Sequence, residues 1–390
     1  MKKNILLKIA ILSVFFVQMG IGTITPAIAS IGGAFPQIPF TTLLLVSTLS
    51  VIVSVPATVI SGRIAGSVVK YKTLLIGGMI LFIVGGIAPF FAQSNFGIIL
   101  ALRVVFGIGL GIVTPLGAAI IISFFEGEER AKVMGLSGVV ANVGGILFQL
   151  LGGVAASVLW GYAFLVHGLG VITLVLVLFL PEPEKAPNRQ SGEVAPKIPS
   201  IVYLYSISLL LLMALNYPIL VNMSSVIQAY GMGDAASSAV VLTMFTVGGM
   251  LAGVVFAKLF GFFKQSVISV GLILMAASMA FMTFGTTLAF MFIAATLAGI
   301  GFSMILPTMM MSIGMKVNPT LVPIASGMIM GAMNVGGFLS AYMFAGLASL
   351  FGQVENIKFP FAFSMVCFSI IAVIVLIKQL QISAKEVIQQ

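Results

Sequence analysis

The chain has 390 residues, 60% of them hydrophobic and only 7% charged, with a mean hydropathy of +1.24; this composition excludes a water-soluble globular domain. The net charge of +9 would suit nucleic acid, but the basic residues lie between apolar runs and not on an amphipathic or aromatic-interleaved face, so they report orientation in a membrane. Cys367 is the only cysteine. That excludes an intrachain disulfide framework and any multi-cysteine metal centre, and no metal or cofactor is expected.

Apolar runs recur along the chain, each long enough to cross a hydrocarbon layer about 30 Å thick as a helix. In chain order the spans are predicted at 8–31, 41–65, 72–92, 96–123, 131–157, 160–180, 200–222, 236–258, 265–285, 288–314, 323–350 and 358–379. The first follows "MKKNILLKIA" and ends near "AIAS" (27–30), which mimics a secretory signal. Its apolar run from Ile9 to Ile31 covers 23 residues, longer than a signal-peptide core, so it is read as a retained span.

Between spans six and seven, "PEPEKAPNRQSGEVAPKIPS" (181–200) is rich in proline and charge and reads as a linker with no fold of its own. The expected organisation is a six-helix bundle over 1–180, a cytoplasmic linker at 181–199 and a second six-helix bundle over 200–390. With the N-terminus in the cytoplasm, sixteen of the eighteen Lys and Arg residues fall at the cytoplasmic side. Lys358 alone lies outside, and Arg103 lies within the membrane. The expected class is therefore an all-α polytopic protein of the cell membrane, twelve helices in two pseudo-symmetric bundles, with both termini cytoplasmic.

The two halves are related. "GIGLGIVTP" (107–115) matches "GIGFSMILP" (299–307), and "NVGGIL" (142–147) matches "NVGGFL" (334–339), both at an offset of 192 residues. Pro26 and Pro218 share that offset. Asn142 and Asn334 each precede a Gly-Gly pair and are read as repeat-related packing positions, together with Gly107, Gly109 and Pro115. The methionines of "MILPTMMMSIGM" (304–315) suit either an adaptable binding surface or a packed core.

Span four carries the one charge embedded in a span. Arg103, in "IILALRVVFGIGLGIVTP" (98–115), lies about 10 Å below the outer surface at 1.5 Å per residue. An ionisable residue at that depth costs at least about 2.5–3.5 kcal/mol on insertion scales and normally faces a bundle interior or water. Two readings follow. In one, its planar fork of donors contacts an anionic or carbonyl-bearing solute in a wet pathway. In the other, it bonds carbonyls or amides and ties helices together. No Asp or Glu lies within a span, so a cationic solute has no counter-charge to bind. His167, at similar depth in span six, is the other titratable candidate, either as a carrier of a coupling proton or as a structural imidazole.

Arg103, Gly107 and Gly109 fit the pattern "lxxxRxxqGxg", with Phe106 where the glutamine stands. "SGRIAGSVVKYK" (61–72) resembles the loop motif GxLaDRxGRRK through Gly62, Ile64, Ala65, Lys70 and Lys72, with Gly66 in place of the aspartate. On these residues the chain resembles the major facilitator superfamily over essentially its full length. The resemblance implies a secondary transporter working by alternating access, with spans one, four, seven and ten lining the pathway. It makes Gln18, Thr23, Arg103, Gln149, Asn216, Tyr217, Asn222 and Tyr342 candidate pathway residues, and places sixth spans, hence His167, at the periphery. It assigns Gly62, Lys70 and Lys72 to conformational control through close helix approach, with the charge relay interrupted at Gly66.

A small organic solute, anionic or neutral and amphipathic, is the expected partner besides the lipid bilayer, with protons a candidate coupling ion; a monomer and no nucleic acid are expected. Proton-coupled multidrug antiport is the alternative, but "GGILFQLLGG" (144–153) keeps Gly144, Gly152 and Gly153 and puts Phe148 and Gln149 where such antiporters carry Gly-Pro. An integral-membrane enzyme would need a polar catalytic constellation that one histidine, one cysteine and no embedded acid do not supply, so the chain is not expected to be an enzyme.

The charge asymmetry predicts a concrete labelling result. In a Cys367→Ser background, the cysteine of Ser191→Cys should resist a membrane-impermeant maleimide on intact cells and react once the membrane is opened. Labelling from outside would remove the twelve-span topology.

Overall fold

The computed structural model describes residues 2–66, 68–182, 198–263, 266–317 and 321–388, so most of the linker expected at 181–199 lies outside the described residues. Among the described residues, eleven helices are long and apolar enough to cross a membrane: Ile5–Ala34, Leu45–Ile64, Tyr71–Ala92, Phe96–Phe124, Glu128–Val158, Ser200–Ala229, Ala235–Phe256, Val267–Phe284, Leu288–Ile313, Ala325–Leu350 and Phe359–Gln379. A shorter apolar helix, Tyr162–Leu178, stands in sixth place. These are spans one to twelve. Their ends fall within a few residues of the predicted ones, except that span seven runs on to Ala229.

The chain forms two compact units, Met1–Ala195 with Asp234–Val240, and Pro196–Gly233 with Val241–Gln390. The first turns of span eight thus group with the first unit and not with the second.

Within each unit, glycines at the 192-residue offset set the closest helix approaches. In the first unit, a Cβ at Gly107 would meet the Ser50 carbonyl of span two at 2.7 Å, and one at Gly109 the Gly78 carbonyl of span three at 2.7 Å. In the second, Gly299 abuts the Phe245 carbonyl of span eight, and a Cβ at Gly301 would lie 2.6 Å from the Gly271 carbonyl of span nine. Gly144 abuts the Phe16 carbonyl of span one, and its counterpart Gly336 abuts the Leu210 carbonyl of span seven. Helices with no hydrophobic force between them associate by such backbone proximity.

Proline breaks are repaired in the same way. Pro115 has no N–H to give the Gly111 carbonyl, and span two supplies Thr58 Oγ1 at 3.0 Å and Ser61 Oγ at 3.3 Å instead. Pro218 frees the Ala214 carbonyl, which accepts from Ser340 Oγ of span eleven at 2.7 Å. The neighbouring Leu215 carbonyl takes Ser364 Oγ of span twelve at 2.8 Å. Most of the 304–315 methionines the structure describes pack inward: Met304 and Met309 are buried, Met310 half-buried, and Met311 exposed.

The loop after span two departs from the reading of its motif. Gly62 is exposed and a Cβ there would meet nothing within 4 Å, so no close helix approach depends on it in this structure. Gly66 sits at φ +74°, and a Cβ there would run into the Tyr71 ring. That leaves no room for the aspartate of the motif. A carboxylate reaches the loop from elsewhere: Glu182 accepts from the Tyr71 and Lys72 backbone N–H groups at 2.6 and 3.0 Å. It caps the N-terminus of span three, where negative charge is favoured. Lys72 Nζ donates at 2.7 Å to the Leu178 carbonyl at the end of span six, while Lys70 is exposed. In the second unit, Lys358 Nζ donates at 2.6 Å to the Gly285 carbonyl and lies 4.2 Å from the Tyr230 ring centroid. It ties the ends of spans seven and nine to the start of span twelve, and its burial holds the ammonium pKa below the ordinary lysine value.

The glycines give a graded prediction. Gly144→Leu and Gly336→Leu place a side chain against backbone that has nowhere to move and should cost about 1–3 kcal/mol or more. Gly62→Leu should leave the unfolding midpoint of purified protein unchanged. Equal losses at all three positions would contradict the packing described.

Candidate functional site

Two spans are interrupted midway, and they correspond between the repeats. Span one is α-helical to Gln18, turns into a 3-10 helix over Met19–Ala27 that contains Pro26, and resumes α-helix at Ile28–Ala34. Span seven is helical over Ser200–Asn216, Pro218–Val221 and Met223–Ala229, with breaks at Tyr217 and Asn222. In span seven proline starts the break chemically, by withholding an N–H and fixing φ, whereas in span one Pro26 lies near the end of a 3-10 stretch that begins at Met19. Paired interruptions in corresponding spans are the strongest sequence-level pointer to a solute site in such repeats.

In the first unit the span-one break brings amides together with span four and span five. Gln18 is half-buried and its Nε2 donates to the Thr114 carbonyl at 3.1 Å, beside Pro115. Thr114 itself is exposed. The Gln149 side chain lies against Gly22, whose missing Cβ leaves it room; its Oε1 is buried without a hydrogen-bond partner. Asn142, two turns earlier on span five, is half-buried. Thr23 is fully buried and spends its hydroxyl on the Gly20 carbonyl at 2.6 Å, so it presents nothing to a solute in this conformation.

In the second unit the span-seven break buries Asn216 completely, with neither its Oδ1 nor its Nδ2 bonded. Tyr217 is 7% exposed and packs on Gly337, and Asn222 is 8% exposed. Tyr342 is exposed and its ring lies 5.6 Å from that of Phe338; Asn334 is half-buried. Ser206 Oγ and Ser224 Oγ, both of span seven, are buried and unbonded. A fully buried amide with a donor and an acceptor both unused is costly by about 1–3 kcal/mol, and such cost is typical of a group whose partner arrives with a ligand.

Arg103 fits the second of its two sequence readings, a tie between helices. It is 0% exposed, not in a wet lining. Its Nε donates to the Val46 carbonyl of span two at 2.7 Å, and its own carbonyl accepts from Ser50 Oγ at 2.9 Å. The guanidinium carbon lies 4.1 Å from the Phe106 ring centroid, so the residue that replaces the motif's glutamine supplies a cation–π face. His167 reaches the other neighbours of that phenylalanine. Its ring lies 4.9 Å from Phe106, 5.8 Å from Phe82 and 6.3 Å from Phe148, and Nδ1–H donates to the Phe164 carbonyl at 3.0 Å. Gly86 on span three leaves room for the imidazole. The sequence placed these two residues at equal depth but gave no hint that Phe106 joins them.

Thr114, Val46, Ser50 and Glu182 were not singled out from the sequence. Only Thr114 carried a signal, its position immediately before Pro115. An apolar groove between spans five and six, lined by Leu151, Val154, Leu165 and Ile172 among others, contains no polar side chain and offers no recognition of a polar solute.

The orphaned amide sets a test that separates function from stability. Asn216→Leu should keep or raise the unfolding midpoint, because an unbonded polar group leaves the interior, and should abolish transport. A fall of several degrees would make Asn216 a structural residue.

Residues 10–266 match the sequence profile of the Major Facilitator Superfamily. An uncharacterized MFS-type transporter of Mycobacterium tuberculosis is 30% identical over 156 residues, 39% of this chain and 27% of that protein. A probable sugar efflux transporter of Haemophilus influenzae is 23% identical over 316 residues, 78% of this chain and 74% of that protein. The alignments span 21–32% of the length of the first four curated relatives that the chain matches. Among solved structures, the nucleoside transporter NupG superposes with a TM-score of 0.79 at 12% identity, covering 95% of this chain and 99% of that one. A D-xylose-proton symporter gives 0.72 at 14%, covering 93% and 95%; at these identities the likeness is one of fold. The profile match covers well over half the sequence, and the chain belongs to the Major Facilitator Superfamily.

Proposed function

We propose that the protein is a secondary active transporter of the cell membrane that moves an uncharged, hydroxyl- or carbonyl-bearing organic solute by alternating access. The observation that carries the solute class is the contrast between the amides and the arginine. Gln18, Gln149 and Asn216 gather at or beside the two helix breaks with unused or weakly committed hydrogen-bonding atoms, whereas the one embedded cation is enclosed by Val46 and Phe106. Amides offer a donor and an acceptor on one planar group, which suits sugars, nucleosides and related ring systems better than a carboxylate. The Haemophilus relative named for sugar efflux, the longest of the alignments above, and a riboflavin transporter of Clostridioides difficile, 25% identical over 127 residues, favour the same class.

The termini and the linker face the cytoplasm, and one chain is the working unit. Two Bacillus subtilis relatives are named for multidrug resistance and multidrug transport, 25–29% identical over 27–45% of this chain. The span-five Gly-Pro and an acid within a span, the residues on which cation-proton exchange rests, are replaced or missing in the sequence. The packing of His167 among three phenylalanines supports the reading of a structural imidazole, and the coupling ion is assigned to no residue.

A thermal-shift panel of purified protein against neutral sugars and nucleosides, organic acids and organic cations tests this reading. A neutral compound at one hundred times its Kd should stabilise by about 2.7 kcal/mol and should also drive counterflow in proteoliposomes. Stabilisation by organic acids alone, lost in Arg103→Gln, would restore the anionic solute and end the neutral one.

A further inference from the structure

We infer that the N-terminal unit binds a small monovalent inorganic anion of the halide class beside Arg103, as a resident counter-ion distinct from the transported solute. The site is built around a charge that no described residue neutralises. The Arg103 side chain is 0% exposed. One of its five N–H groups goes to Val46; Nη1 and Nη2, with the other four, are buried and have no hydrogen-bond acceptor. Phe106 covers one face of the guanidinium. A ring quadrupole compensates part of a buried charge and accepts none of those in-plane N–H groups.

Among the described residues no carboxylate pairs with it. The nine acidic residues are Glu126, Glu128, Glu129, Glu182, Glu184, Glu193, Asp234, Glu355 and Glu386, none within a span core. Glu126 is 23 residues further along the chain, more than about 30 Å at 1.5 Å per residue. Glu129 and Glu128 pair with Lys8 at 2.6 Å and Lys132 at 2.7 Å, Glu182 caps span three, and Asp234 is exposed and accepts from the Ser237 backbone N–H and hydroxyl.

A buried guanidinium left unpaired carries a large desolvation penalty, and an arginine does not relieve it by losing its proton. The remaining source of negative charge is an ion from solution. Its chemistry follows from the site. One positive charge calls for one negative charge, since a divalent ion would leave an uncompensated charge of the opposite sign. Enclosure by Phe106 and span two favours an ion that surrenders its hydration shell easily, so bromide and nitrate should bind better than chloride, and fluoride worst. One N–H from each of Nη1 and Nη2 can converge on one acceptor at the edge of the guanidinium plane, the bidentate arrangement in which arginine holds an anion. The site is about 16 Å along span four from Thr114, so it does not depend on the identity of the solute.

The test uses the full chain in detergent, at constant ionic strength, with sodium gluconate as the baseline and fluoride, chloride, bromide and nitrate as probes. The unfolding midpoint should rise saturably with bromide or nitrate by about 2 °C or more over gluconate, and less with fluoride. Asn216→Leu should keep that rise, which separates this site from solute recognition; Arg103→Gln should lose it. Because Arg103→Gln is at risk of misfolding, bromide-soaked crystals of the unsubstituted chain give an independent reading. An anomalous peak within hydrogen-bonding reach of Nη1 or Nη2 is expected. Equal midpoints in all salts, a bromide effect that survives Arg103→Gln, or density for water alone at Nη1 and Nη2 would each overturn the assignment.

Discussion

A helix inside hydrocarbon has no water to turn to, so each backbone group it exposes must be satisfied by protein. That constraint organises this molecule. Where Pro115 and Pro218 withhold an N–H, a hydroxyl from another span arrives at the freed carbonyl: Thr58 and Ser61 for Gly111, Ser340 for Ala214. Where helices must approach closely enough for this to happen, glycine stands at the crossing, as Gly144 does on span one and Gly336 on span seven. The prolines can therefore interrupt spans one and seven without destabilising the membrane-embedded chain. The interruptions in turn bring amides, Gln18 and Asn216, to the positions the proposal assigns to solute recognition.

The same constraint makes the exceptions informative. A described residue that is buried and leaves its polar atoms unbonded stands out against so complete a pattern of repair. Asn216 is one such residue and the outer nitrogens of Arg103 are another. They differ in kind. Asn216 is neutral and lies at a helix break, where a solute's hydroxyl or carbonyl can complete it. Arg103 is charged, enclosed between span two and Phe106, and tied to Val46. One group awaits a hydrogen-bonding partner and the other a charge. That division favours a neutral solute for the pathway and an inorganic ion for the arginine.

The loop after span two shows how a motif can lose a residue and keep its electrostatics. Gly66 turns left-handed beneath Tyr71, and no side chain fits there. The carboxylate of Glu182 comes from the start of the linker to the N-terminus of span three, while Lys72 closes the C-terminal end of span six. Opposite helix-end charges are matched by opposite side chains. The first unit thereby holds the beginning of the linker against its own third and sixth spans.

Length, hydropathy and charge asymmetry determined the twelve spans and their limits, because a hydrocarbon layer fixes how long an apolar helix must be and basic residues gather on one side of it. The 192-residue register located the glycines that later proved to be the helix crossings, since close approach demands the same small residue in both repeats. The prolines of spans one and seven marked where the helices break. Tertiary structure alone decided which polar residues were spent and which were free. Thr23 and Gln149 look equivalent in sequence, yet the first turns its hydroxyl on its own helix and the second keeps an unbonded oxygen. Arg103 read either as the wall of a wet pathway or as a tie between helices, and the sequence could not choose, because exposure depends on the Phe106 ring and the Val46 carbonyl, and the latter comes from a helix 57 residues away in the chain. Gly62 fitted a packing motif and faces open space. Periodicity and composition report what a segment must do with hydrocarbon; which neighbour a side chain meets is set only when the helices are assembled.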